Sequence, residues 1–218
     1  MMETPKNETP LPGQPVSLWI ATTPETNYAA LQQGLTVDVA VIGGGIAGLT
    51  AALLLKREGA RVAVIEAGRI VKSVTGNTTA KVTSLHNLIY DHLMSEFGLE
   101  GAQAYASAQQ AAIEKIAALV ADYGIDCDFT RTDAYTYTET EEEVERITRE
   151  VEAAARLNLP ASFVRTTPLP FPVKAAVRFT NQARFHPRKY LLHLAAQLVG
   201  DGSYIFEETR ALDLEEDE

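Results

Sequence analysis

"DVAVIGGGIAGLTAALLLKREGARVAVIEAG", residues 38–68, changes character three times: an apolar run, a burst of glycine, a helical pattern, and a second apolar run closed by an acid. Residues 37–42 are short, mostly apolar and end in glycine, which suits a strand buried on both faces of a parallel sheet. Ile46, Leu49, Ala52 and Leu53 then recur at helical spacings of three and four, and "KREG" closes that helix with basic residues and a glycine C-cap. Residues 61–65 make the next strand. Strand, helix and strand in that order form a βαβ unit, so the fold class is α/β with a Rossmann-like core.

Within the unit, Gly43, Gly45 and Gly48 spell G-x-G-x-x-G at the strand-to-helix turn. Gly43 permits the tight turn, Gly45 lets the backbone approach a pyrophosphate, and Gly48 lets helix and strand pack closely. The helix N-terminus, through Gly44, Gly45, Ile46 and Ala47, supplies unpaired N–H groups and the positive end of its dipole. Glu66 ends the second strand 23 residues after Gly43, where a carboxylate accepts hydrogen bonds from ribose hydroxyls. A carboxylate there repels a 2′-phosphate, so NADP is the least suitable dinucleotide. FAD and NAD both remain compatible with these residues.

Composition bounds what the unit belongs to. The chain has 218 residues, 46% of them hydrophobic, enough for one large or two modest cores. A net charge of −10 with no Lys/Arg run argues against nucleic acid as a partner. The one cysteine, Cys127, excludes an internal disulfide and a multi-cysteine metal site within this chain, and reads as a semi-buried thiol. "MMETPKNETPLPGQP" lacks the basic start and apolar core of a secretory signal, and no apolar run is long enough to span a membrane. The expectation is a soluble cytoplasmic protein with a Pro-rich, loosely ordered arm that Trp19 packs onto the body.

The quoted stretch and its continuation resemble the N-terminal FAD fingerprint of the D-amino-acid oxidase (DAO) superfamily, which includes glycine and sarcosine oxidases. "SVTGNTTAKVTSLHNLIYDHL" resembles more narrowly a bacterial branch of FAD-dependent oxidoreductases, some of which carry a C-terminal Rieske iron–sulfur domain. Similarity lapses through the middle and returns at "ARFHPRKYLLHLAAQLVGDGSYIFEETRALDLEED". The resemblance implies a GR2-type flavoprotein with FAD as cofactor and a small amine or amino acid as substrate. It implies cofactor contacts from Gly43, Gly44, Gly45, Ile46, Ala47, Gly48, Glu66, Ala67, Arg69, Thr78, Thr79, Ala80 and Ala211, with Lys81 approaching the flavin edge. Read without it, the loop holding Thr78 and Thr79 is a solvated turn and Lys81 a surface lysine. No catalytic residue, metal ligand or electron acceptor, whether oxygen or a redox partner, is assigned.

Elsewhere, residues 87–124 read as two helices, the second amphipathic, with His86 and His92 in structural or surface roles. "DAYTYTET" reads as a strand placing Tyr135 and Tyr137 on one face, more suited to the core than to a substrate pocket. "EEEVERITREVEAAARLNL" is a helix with solvent-facing charges, and "TTPLPFP" a link back toward the FAD-binding part. "HPRKYLLHLAAQLVGDG" is a helix with a stripe of Tyr190, Leu191, Leu194 and Leu198, and "SYIFEETRALDLEED" a pair of strands. The expected organisation is an arm (1–34), an incomplete FAD-binding domain (35–84 plus 175–218) and an inserted helical, α+β segment of a substrate domain (85–174). By resemblance the chain is a truncated flavoprotein, expected to expose an apolar face and a free strand edge. The alternatives are a dinucleotide-binding module without turnover, or an NAD-dependent dehydrogenase.

Overall fold

The structure, a computed structural model, describes residues 13–216. β1 (Val39–Ile42), α2 (Ile46–Arg57) and β2 (Val62–Ile65) follow a short α1 (Leu18–Ala21) and form the expected βαβ unit. β1 and β2 pair in parallel, and β7 (Tyr204–Phe206) joins β2 in parallel, giving the order β1-β2-β7. A second sheet holds β3 (Lys81–Val82), β4 (Thr130–Thr138), β5 (Ala161–Val164) and β6 (Ala175–Arg184), all paired antiparallel with β6. α3 (Tyr90–Asp122), α4 (Val144–Arg156) and α5 (Pro187–Leu198) complete the chain.

Two cores follow from this layout. Leu49 and Leu53 of α2 meet Val62, Val64 and Ile205 of the parallel sheet, and the α5 stripe Tyr190, Leu191, Leu194 and Leu198 closes the same cluster. Each of those α5 side chains is fully buried. Tyr90, Ala102, Ile147, Ala154, Val177 and Phe179 form the other core, where α3 and α4 cover the second sheet. α3 is the expected pair of helices, broken at Gly98, whose φ of 69° no helical residue adopts.

Several expectations are corrected. β1 is not buried on both faces: Ala40 is exposed and Ile42 is 68% exposed, because α2 covers one face only and β1 lies at the sheet edge among the described residues. "SYIFEETRALDLEED" yields one strand, β7, and no strand among residues 207–216. "TTPLPFP" connects β5 to β6, both in the second sheet, and does not lead back to the first. The expected division at 84/85 and 174/175 does not follow sheet membership, since β3 and β6 both belong to the second sheet.

Burial departs from expectation too. Cys127 is wholly buried. Glu150 of α4 is buried, not solvent-facing: its carboxylate accepts the N–H groups of Ile89, Tyr90 and Asp91, capping the start of α3. Residues 1–12 of the expected arm lie outside the described residues, but from residue 17 onward the arm is tied down. The Trp19 Nε1–H donates to the Thr78 carbonyl at 2.8 Å, and the indole sits edge-on against His186, so Trp19 packs the arm as expected. Arg188, 1% exposed, donates to the Thr23 hydroxyl and the Pro24 and Val71 carbonyls. Glu207, equally buried, accepts from the Thr26 hydroxyl and the Tyr28 and Ile70 N–H groups. These backbone and hydroxyl partners satisfy two charges that burial alone would make costly.

Candidate dinucleotide site and cleft

The glycine turn has the shape its sequence implies. Gly43 adopts φ +103°, a conformation L side chains rarely take, which turns the chain out of β1. Gly45 is the N-cap of α2, and the helix's first intrahelical bond runs from Leu49 N–H to the Gly45 carbonyl. The preceding N–H groups at the head of α2 are those an α-helix leaves without internal partners; Ile46 N–H has only a long 3.4 Å contact to Thr75 Oγ1. A Cβ on Gly48 would stand 1.9 Å from the Gly43 carbonyl oxygen, and one on Gly44 would stand 2.3 Å from Ile70 Cγ2. A Cβ on Gly45 meets only Thr75 Oγ1, at 3.1 Å. Gly44 and Gly48 are therefore glycine for packing, whereas at Gly45 the protein itself leaves room. That room, over free N–H groups and a helix dipole, fits a pyrophosphate.

Glu66 sits beside the turn, half-buried, with Oε2 accepting Gly44 N–H at 2.7 Å and Oε1 accepting Gly68 N–H at 2.9 Å. Two backbone bonds hold the carboxylate still, and a carboxylate has further lone pairs for a ribose hydroxyl. Ala67 is exposed next to it. Ala211 is exposed two residues beyond Thr209, whose N–H donates to the Glu66 carbonyl, so the chain after β7 runs past the acid. Arg69 is directed elsewhere: its guanidinium donates to the Thr26 carbonyl and lies 3.8 Å from Glu207 and 4.0 Å from Glu208.

Thr78, Thr79, Ala80 and Lys81 form a second group. The Thr78 carbonyl is engaged by Trp19, and Ala80 is buried at φ 61°. Thr78 and Lys81 line a recess of about 170 Å³ together with Ile46 at the head of α2, which joins this group to the glycine turn. Thr79 and Lys81 also line a larger cleft of about 800 Å³ on the second sheet. Its walls include His86, Asp133, Tyr135, Tyr137 and Arg184, and its rim includes Leu169. Tyr135 and Tyr137 thus face the cleft and are not core residues; Tyr137 is 40% exposed and packs on Phe171. The His86 Nδ1 is 2.8 Å from the Tyr105 hydroxyl, while His92 is exposed on α3.

Sequence reasoning missed Arg188, Glu207 and His186, which fix the arm against the 70–80 loop. His186 caps α5 by accepting the Lys189 N–H, and its Nε2 is 3.0 Å from Thr22 Oγ1. Burial, with Lys189 adding to it, pushes the imidazole below its usual pKa. The Pro at the first position of α5 signals the cap, but nothing in the sequence signals the buried arginine beside it.

Comparisons with known proteins agree with this geometry. Residues 38–218 match the family DAO, FAD dependent oxidoreductase. The chain is 41% identical over 204 residues to YhfW of Bacillus subtilis, described as a Rieske 2Fe-2S iron-sulfur protein, covering 94% of this chain and 40% of that one. It is 31% identical over 102 residues to gamma-glutamylputrescine oxidoreductase of Escherichia coli, covering 47% of this chain and 24% of that one. The crystal structure of glycine oxidase from Bacillus cereus superposes with a TM-score of 0.61 at 19% identity, covering 84% of this chain and 49% of that one. The chain thus spans about two-fifths of the length of YhfW and half that of the oxidase. Among the described residues no helix is long and apolar enough to cross a membrane. By its family match over residues 38–218, and by the glycine turn that residues 43–48 build, this chain belongs to the FAD dependent oxidoreductase (DAO) family, and its cofactor is FAD.

Proposed function

We propose that this chain is the cofactor-holding part of an enzyme that oxidises a C–N bond of a small amine or amino acid. The observation that carries the reading is the continuity of the site: Lys81 borders both the recess at the head of α2 and the large cleft, so a ligand anchored at the glycine turn extends to the wall of a substrate-sized space. Bound FAD supplies the acceptor for a hydride. The residues of this chain would bind and orient it: the N–H groups of residues 45–47 would hold the pyrophosphate, with Gly44 holding Glu66 in place, Glu66 and Ala67 would hold the adenosine ribose, and Ala211 would flank that end, while Arg69 ties the arm to the β7 end. Thr78, Thr79 and Ala80 would line the route to the flavin, and Lys81 would supply a positive charge at its edge, favouring reduction. The arm anchored by Trp19, Arg188 and Glu207 keeps this loop in place. Gamma-glutamylputrescine oxidoreductase and glycine oxidase, by their names, take an amine and an amino acid, and this supports the same class here.

A reading without turnover has one observation in its favour. Ile42 and Ile46 are exposed at the turn and β1 is an edge strand among the described residues, so the surface around the cofactor is open to water. Anaerobic mixing of flavin-loaded protein with a panel of amines and amino acids separates the two. Bleaching of the flavin absorption bands supports the enzyme; flavin bands unchanged by every amine and amino acid leave only a binding module.

A further inference from the structure

We propose that the arm, residues 17–31, is a latch on the cofactor site: through Trp19 and Arg188 it holds residues 71–80 in a strained conformation beside the glycine turn, so that docking of the arm and binding of FAD are coupled. The coupling rests on the reading of Thr78, Thr79 and Ala80 as lining the cofactor; the latch itself rests on the following geometry.

The segment is bounded by two residues that are not glycine and yet have positive φ, Val71 at 56° and Ala80 at 61°, both buried. For an L residue this region carries a bias of roughly 5- to 30-fold against it, and a β-branched residue such as valine is the least suited to it. Such conformations persist only where the surroundings impose them. At Val71 they do: its N–H donates to the Gly44 carbonyl at 3.0 Å, and its carbonyl accepts from Arg188 Nη1 at 3.1 Å. Between the two hinges, among the described residues, no backbone-to-backbone hydrogen bond of residues 72–79 reaches another part of the chain.

The arm ties the segment down instead. Trp19 Nε1–H donates to the Thr78 carbonyl at 2.8 Å, and Glu25 pairs with Lys72 at 3.3 Å. Ile20 lies over Gly76, where a Cβ would stand 3.1 Å from Ile20 Cδ1 and 2.7 Å from the Val71 carbonyl oxygen, so only glycine admits the arm this closely. Arg188, on α5, reaches the arm at Thr23 and Pro24 and the hinge at Val71 with one guanidinium, which makes the hinge and the docked arm share a partner. Held in this way, the segment places Thr75 Oγ1 3.4 Å from Ile46 N and Thr78 beside Ile46 in the recess at the head of α2. A ligand that binds only this latched form favours docking of the arm by the factor by which docking favours the ligand.

Trypsin cleavage after Lys72, followed by mass spectrometry of the full chain, reads opening of the segment, and cleavage after Lys115, in the middle of α3, reads opening of the whole fold. Without FAD, Lys72 is expected to be cut at least tenfold faster than Lys115. Trp19→Phe keeps a ring but removes the donor to Thr78, and is expected to speed cleavage at Lys72 by about fivefold to tenfold. Ala80→Gly, which relieves the hinge, is expected to slow cleavage at Lys72 by about threefold in that variant, whereas a glycine placed at an unstrained position would speed it. FAD at about ten times its dissociation constant is expected to slow cleavage at Lys72 of the parent by about tenfold. Equal cleavage at Lys72 and Lys115, no acceleration by Trp19→Phe, or no slowing by Ala80→Gly would each overturn the latch, and all three are read without FAD. Bound FAD that leaves cleavage at Lys72 unchanged would instead overturn the coupling, and with it the contact of Thr78, Thr79 and Ala80 with the cofactor.

Discussion

Alanine at Gly45 and alanine at Gly48 add the same methyl group three residues apart, yet they are expected to fail in opposite ways. At Gly48 the new Cβ would stand 1.9 Å from the Gly43 carbonyl oxygen and 3.1 Å from its carbon. An unstrained C···O approach is about 3.3 Å, so α2 must retreat by roughly 1.4 Å from the turn. The obstacle is backbone, not a side chain that can swing away, so the cost falls toward the upper end of the ~1–3 kcal/mol typical of overpacking. At Gly45 the backbone is at φ −90° and the only close neighbour is Thr75 Oγ1 at 3.1 Å, so stability should change by less than about 1 kcal/mol. That methyl instead projects into the room proposed for the pyrophosphate. Loss of two charge-assisted N–H contacts at about 1.5–3 kcal/mol each weakens FAD by roughly 100-fold or more. Urea unfolding of both variants, together with quenching of FAD fluorescence on binding, gives the two numbers for each. A Gly45→Ala protein that binds FAD like the parent, or a Gly48→Ala protein as stable as the parent, would refute the division of labour between these glycines.

Three further outcomes follow from particular contacts. Glu66→Ala is expected to weaken FAD by about 1–3 kcal/mol, and an unchanged dissociation constant would remove Glu66 from the adenosine end. Glu150→Ala leaves three N–H groups at the start of α3 without their acceptor, and is expected to lower unfolding free energy by about 2–4 kcal/mol in urea. A loss too small to resolve would show that water caps the helix as well. His186 has a folded pKa below its unfolded value near 6.5, so its contribution to stability is complete above that pH and is lost as pH falls through the folded value. His186→Asn keeps a capping acceptor without the titration, and should show a shallower fall in stability between about pH 7 and pH 5; an identical pH profile would place the acid sensitivity elsewhere.

The βαβ unit was legible because its information is local: Gly43, Gly45, Gly48 and Glu66 lie within 24 residues, and each residue type answers a geometric need met inside that window. The helical stripe of α5 was legible for the same reason. What the sequence hid was pairing at long range. β6 reads as a strand, but that it joins β3, β4 and β5 depends on contacts up to about a hundred residues away, as Lys81 with Arg184. Glu150, Glu207 and Arg188 look like surface charges because their partners are backbone groups of distant loops, which leave no mark on side-chain patterning. β1 has the composition of a doubly buried strand and yet exposes Ile42, since hydrophobicity records that a residue suits burial but not which element covers it.

The most direct test is a competition titration of the purified chain with FAD, NAD and NADP, followed by flavin fluorescence and repeated with Gly45→Ala. The expected result is one saturable FAD site, displaced poorly by NAD, least of all by NADP, and lost in the variant. Saturable binding of NADP in preference to FAD, or FAD binding that Gly45→Ala leaves intact, would contradict the assignment of the glycine turn and Glu66 as the flavin dinucleotide site.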